Sequence, residues 1–312
     1  MSEFLTIGFL TTFLSAAVRT AMPLMCAAIG EDVSEKAGLI NVGIEAVMIG
    51  GAFFGFAGAY LTDSLLIGFL CGMLGGLVFS MLHAFLSIYM RQDQNVAGVA
   101  LNLLATGITS YLFMLLVNAY GIPQIHTLSS IPIPGLCKIP LIGEALFNKD
   151  IVTYIVFLLI IAMIVFFRRT VWGMSLCSIG ENPRAADTVG LPVYRIQYAA
   201  AAFNGIMGGL GGAYLLLGQL GVFYENITAG RGYIALAVVV FGKRNPLGIF
   251  LASLFFGAAD ALQFRMQALG ITLPTQLFTG LPYLLTALSL LLVAKRNSDP
   301  AALGKPYIRT SR

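Results

Sequence analysis

The chain has 312 residues, 58% of them hydrophobic and only 10% charged, with a net charge of +4. A soluble domain carries about 25% charged residues, so this composition excludes one and identifies an integral membrane protein. Apolar runs approach the roughly 20 residues a helix needs to cross a hydrocarbon core about 30 Å thick, while the alternating ten-residue segments of an outer-membrane barrel are absent from the sequence. The expected fold is therefore all-α, a polytopic transmembrane helical bundle forming one domain over 1–312. Cys26, Cys71, Cys137 and Cys177 include no Cys-x-x-Cys pair and read as packing thiols, with no metal site and no nucleic-acid partner expected.

In chain order, a first apolar span covers 4–28, interrupted by Arg19 and bent by Pro23. Glu3 near the amino end, and the lack of a convincing small-residue cleavage site, argue against a cleaved signal. The polar string Glu31-Asp32-Val33-Ser34-Glu35-Lys36 predicts a turn before a second span at about 38–60. Spans follow at about 65–89, ending at Arg91, and at about 95–119. The loop 120–150 holds Pro123, Pro132, Pro134 and Pro140 and cannot lie helical in lipid, because each proline removes a backbone donor. A fifth span, 151–167, stops at Arg168-Arg169. A polar island then runs from Gly180 to Gly190, inside a loop of about 170–196. The remaining spans are predicted at 197–221, 232–242, 246–264 and 276–294, before a basic tail over 295–312.

Short cytoplasmic loops are enriched in Lys and Arg, so Arg91, Arg168-Arg169, Arg184, Arg195, Lys243-Arg244 and the tail belong on one side. That count works if the 232–242 piece returns across the membrane as a tilted or broken helix. It places the 120–150 loop and the N-terminus outside and the 31–36 turn inside, with about nine to ten spans.

Glycines spaced by four, at Gly51 and Gly55, at Gly68, Gly72 and Gly76, at Gly205 and Gly209, and at Gly208 and Gly212, let helix backbones approach closely in a compact bundle. Gly-Gly-Ala at 50–52 and again at 211–213 hints at an internal repeat. Polar residues inside spans are costly and face a cavity or a partner. Asn41 and Glu45 share a helical face at the start of the second span, where Gly38 and Gly43 favour a broken or re-entrant segment. They either line a path or cap a helix and pair with a cation such as Arg19. Asn102, Asn204 and Gln219 offer hydrogen bonds to a polar solute or to neighbouring helices. Asp260 and Arg265 read as an ion pair. No Gly-x-x-x-x-Gly-Lys-Ser/Thr string occurs, so this chain has no phosphate cradle of that type. His83 and His126 stand in separate segments and form no catalytic constellation, so an enzyme is not expected.

Three strings in order carry a resemblance across nearly the whole chain: Glu35-Lys36-Ala37-Gly38-Leu39-Ile40-Asn41-Val42-Gly43-Ile44-Glu45; Gly180-Glu181-Asn182-Pro183-Arg184-Ala185-Ala186 through Asp187 to Gly190; and Gly230-Arg231-Gly232-Tyr233-Ile234-Ala235-Leu236-Ala237 with Asn245-Pro246-Leu247-Gly248. They resemble the permease subunits of bacterial nucleoside ABC importers, which belong with the branched-chain amino acid and simple-sugar permeases. The resemblance implies a type II importer fold in the bacterial plasma membrane and solute import by alternating access. It also implies a second, longer permease subunit, cytoplasmic ATPase subunits that bind ATP and Mg, and an extracytoplasmic substrate-binding lipoprotein. No cofactor is expected on this chain. Asn182 and Pro183 suit an N-cap and the first helical turn. The resemblance makes the short helix they start the coupling helix, presenting Ala185 and Ala186 to the ATPase. Simple sugars or branched-chain amino acids are the alternative cargo. A self-sufficient proton-coupled carrier using Glu45 or Asp260, or a purely structural membrane subunit, is the alternative class.

Overall fold

The computed structural model describes residues 7–121, 125–139, 142–268, 280, 284 and 299–309. Eleven helices are described: α1 (Ile7–Lys36), α2 (Ile44–Thr62), α3 (Leu65–Ala84), α4 (Gln94–Tyr120), α5 (Ile142–Phe147), α6 (Ile151–Arg169), α7 (Val171–Glu181), α8 (Pro183–Thr188), α9 (Val193–Ala213), α10 (Arg231–Phe241) and α11 (Pro246–Ala268). The turn Phe85–Tyr89 prolongs α3 and the turn Tyr214–Leu220 prolongs α9, both with π-helical bonding. Among the described residues seven helices are long and apolar enough to cross a membrane, namely α1, α2, α3, α4, α6, α9 and α11. The span expected at 276–294 lies outside the described residues apart from Gly280 and Leu284, so the full crossing number rests on that segment.

The centre of the bundle is a glycine-mediated contact between α2, α3 and α9. A side chain at Gly51 would overlap the backbone of Gly209, and one at Gly76 would overlap the backbone of Gly205 and Gly209. The four-residue glycine spacing thus sets how closely these backbones approach. Helix α1 packs against α9 on one side and α11 on the other.

The polar turn expected at 31–36 is instead the last part of α1, a continuous 30-residue helix that contains Pro23. Helix continues there because the acidic side chains find partners in the protein rather than in water. Asp32 pairs with Lys36 at 2.7 Å, and Glu35 pairs with Arg244 at 2.5 Å. The helix ends at Gly38 (φ +88°), where Leu39 N–H donates to the Ser34 carbonyl and Gly38 N–H to the Glu35 carbonyl. This double bond across a left-handed glycine is a Schellman end. The proline-rich loop carries a two-residue hairpin, Ile131–Pro132 (β1) against Asn148–Lys149 (β2).

Helix α10 is only 11 residues, about 16 Å at 1.5 Å per residue, roughly half a bilayer core. Residues 221–230 before it are irregular, so the apolar piece expected at 232–242 is a short helix preceded by irregular chain.

Candidate functional site

Two joined polar clusters lie inside the bundle. The first is formed by the end of α1, the turn after it and the middle of α9. Glu31 Oε1 accepts from Asn41 N–H at 2.8 Å, and its Oε2 accepts from Asn204 Nδ2 at 2.5 Å. Asn41 Nδ2 reaches Asn204 Oδ1 at 3.5 Å, while Asn41 Oδ1 is buried with no partner among the described residues. Gln94, at the start of α4, holds the same turn by accepting from Ile40 N–H at 2.8 Å.

The second cluster forms where α10 begins. The first turn of a helix leaves N–H groups without intrahelical partners and carries the positive end of the helix dipole. Glu45 fills that position: Oε1 accepts from Thr228 Oγ1 at 2.5 Å and Gly230 N–H at 2.8 Å, and Oε2 accepts from Gly232 N–H at 2.6 Å. A side chain at Gly232 would collide with the backbone and carboxylate of Glu45, so the glycine is needed for this close approach. Asn102 joins α4 to both neighbours. Its Oδ1 accepts from Ala46 N–H at 2.8 Å, and its Nδ2 donates to the Val42 carbonyl at 3.0 Å and to the Tyr233 hydroxyl at 2.7 Å. Eight residues into α4, Asn102 sits about 12 Å along that helix from its start, in a helix long and apolar enough to cross a membrane. Glu45 and Asn102 are buried, whereas Tyr233 is 43% exposed and brings the cluster to the outer surface of the chain.

Of the residues expected to line a path, Asn41 meets Asn204, and Glu45 is adjacent to Asn102, but Gln219 stands apart, with its Nε2 donating to the Arg19 carbonyl at 2.6 Å. The cation suggested for Glu45, Arg19, instead donates to the Gly218 carbonyl at 2.7 Å. The expected Asp260–Arg265 pair does not form. Asp260 faces Arg231 at 3.8 Å and Arg265 lies over the ring of Phe9, 5.2 Å from its centroid, so Asp260 ties α11 to the start of α10. Glu31 and Thr228 are site members that sequence reasoning missed. Glu31 was hidden in what reads as a charged loop, and Thr228 precedes the Gly-Arg-Gly-Tyr string without belonging to it.

At the end of the bundle where the basic loops gather, α7 and α8 form the polar island. Asn182 caps α8 by accepting from Ala185 N–H at 3.1 Å, with Pro183 at the first helical position. Gly190 leaves the helix at φ +89°. Gly180 packs directly on the Lys36 carbonyl, so the island touches the end of α1. Glu181, Asn182, Arg184, Ala185 and Thr188 are exposed and Asp187 is half-buried. Ala186, expected to face outward, is buried against Ile179, Val193 and Tyr307, because α8 must cover the hydrophobic end of α7 and α9. Desolvation and the hydrogen bond to Asp187 push the Tyr307 phenol above its ordinary range, keeping it a proton donor to that carboxylate.

Residues 13–294 match the family described as branched-chain amino acid transport system permease component. The guanosine ABC transporter permease protein of Bacillus subtilis is 36% identical over 98% of this chain and 99% of its own length. The nucleoside ABC transporter permease protein of Lactococcus lactis subsp. cremoris is 35% identical over 92% of this chain and 94% of its own length. A putative glucose ABC transporter permease protein of Haloferax volcanii is 36% identical over 85% of this chain and 81% of its own length. With a multi-pass apolar bundle and a match across nearly its whole length, this chain belongs to the branched-chain amino acid transport system permease family.

Proposed function

We propose that this chain is the permease subunit of a nucleoside importer, working beside a longer second permease and driven by separate cytoplasmic ATPase subunits that bind ATP and Mg. An extracytoplasmic binding lipoprotein delivers the cargo. The observation that carries the reading is the unbroken physical line from the surface island to the membrane interior. Gly180 rests on the end of α1, the Gly38 turn follows, and Asn41 and Glu45 lead from it to the start of the half-helix α10. On this reading, motion of α8 at the surface is transmitted to a polar cluster inside the bundle. Tyr233 and Asn102 are the groups through which that cluster contacts a solute passing between two permeases, a ring and an amide being suited to a base with polar edges. Nucleosides are the first choice of cargo because two of the similar permeases are named for guanosine or nucleosides. Glucose is the second, because a third is named for it at equal identity.

The test is uptake of labelled guanosine into liposomes holding the complete complex. Uptake should require ATP and the ATPase subunits, should resist competition by glucose, and should fall at least about tenfold in Tyr233→Ala while ATPase binding stays intact. Uptake by this chain alone under a proton gradient would replace the reading with that of a self-sufficient carrier. Competition by glucose and not by nucleosides would change the cargo.

A further inference from the structure

The C-terminal tail does not trail away from the island but is built into it. Asp299 pairs with Arg244 at 2.5 Å, so the tail starts on the same guanidinium that holds Glu35 at the end of α1. Ala302 N–H then donates to the Gly180 carbonyl at 2.9 Å, and Gly304 N–H to the Gly38 carbonyl at 3.1 Å. Further on, the Tyr307 hydroxyl donates to Asp187 Oδ2 at 3.1 Å, and Arg309 pairs with the same oxygen at 3.1 Å. Between tail and α8 lies an open groove of about 370 Å³, lined by Glu181, Arg184, Lys305, Tyr307 and Ile308 among others.

The charges on this groove are unevenly matched. Glu181 accepts from Ala301 N–H at 3.3 Å and Asp187 is occupied by Arg309. Arg184 and Lys305, both exposed, make no ion pair among the described residues, and Lys305 reaches only the Ala301 carbonyl at 3.1 Å. Ile308 is 46% exposed and Val189, at the far end of α8, 77%. A surface with two unmatched cations beside exposed aliphatic groups is complementary to an acidic, partly apolar protein face.

We propose that tail residues 301–308 and α8 together form one docking surface for the ATPase subunit, in which Lys305 and Ile308 act alongside Arg184. This rests on the reading of α8 as the coupling helix. The tail makes the surface composite: it supplies half of the groove, and its bonds to Gly180 and Gly38 set the position of α8 relative to the membrane turn that follows α1.

The experiment titrates the cognate ATPase subunit onto the complete permease assembly in nanodiscs, comparing wild type with Arg184→Glu, Lys305→Glu and Ile308→Asp. All three side chains are at the surface, so thermal unfolding of the assembly should be unchanged. Each variant should weaken binding by about tenfold or more, and added salt should weaken wild-type binding more steeply than that of Lys305→Ala. If Arg184→Glu weakens binding while Lys305→Glu and Ile308→Asp do not, the tail is no part of the surface and the inference is overturned with the coupling-helix reading intact. If no variant weakens binding, that reading fails and the inference with it.

Discussion

Glu45 sits where a half-length helix begins, and its two carboxylate oxygens accept three bonds from Thr228, Gly230 and Gly232. Glu45→Ala removes every one of those acceptors, and each buried donor left without a partner costs about 1–3 kcal/mol. A lowered melting temperature in detergent should follow, with a smaller drop in Glu45→Gln, which keeps one oxygen. An unchanged melting temperature in Glu45→Ala would show that water replaces the carboxylate. Arg244 presents a second single-residue dependence. It is 7% exposed and faces Glu35, 1% exposed, so Arg244→Ala strands a buried carboxylate, a change that costs about 3–5 kcal/mol. The double variant Arg244→Met with Glu35→Gln should be milder than Arg244→Ala alone. Asn41 and Glu45 were legible in the sequence as polar groups inside an apolar span. Glu31 and Glu35 were not, because a charged hexapeptide between apolar runs looks the same whether it meets water or meets Asn204 and Arg244 from distant helices.

At the scale of elements, the glycine spacing was readable and the identity of the partners was not, since a four-residue repeat reports a flat helix face without saying which helix covers it. The structure sets α2, α3 and α9 face to face there, and Gly209→Leu would drive a branched side chain into the backbone of α3. Overpacking a fixed contact costs about 1–3 kcal/mol or more, and here the obstacle is main chain that cannot swing aside. Membrane-inserted but unassembled protein is the expected outcome, checked by yield of the monodisperse species against Gly107→Leu, where an added Cβ meets nothing within 4 Å among the described residues. The capped helix α8 was likewise legible from Asn182 and Pro183, but not which of its faces is free. Ala186→Glu should therefore destabilise the island itself by burying a charge against Ile179, Val193 and Tyr307. An Ala186→Glu variant that folds normally and loses only ATPase binding would contradict this packing.

For the whole molecule, the basic loops, the Gly38 turn, α8 and the tail all gather at one end of the bundle, as the distribution of Lys and Arg anticipates. In a variant freed of its own cysteines, Thr188→Cys should resist an impermeant thiol reagent added to intact cells, and Glu225→Cys, in the loop before α10, should react. The reverse pattern would invert the orientation. The charge count set the acidic stretch at 31–36 on the side of the basic loops, the end where Lys36 meets Gly180 and Glu35 meets Arg244, but it could not show that the stretch is helix, because that depends on contacts made with residues far along the chain. The manner in which α10 is fastened has a mechanical meaning. Its start is riveted to α2 through Glu45 and linked to α11 through Arg231 and Asp260, so the three helices are tied together at that point. A covalent bridge between α2 and α10 should then leave a transport cycle running, and the sliding seam that opens and shuts the path has to run along some other boundary of the bundle.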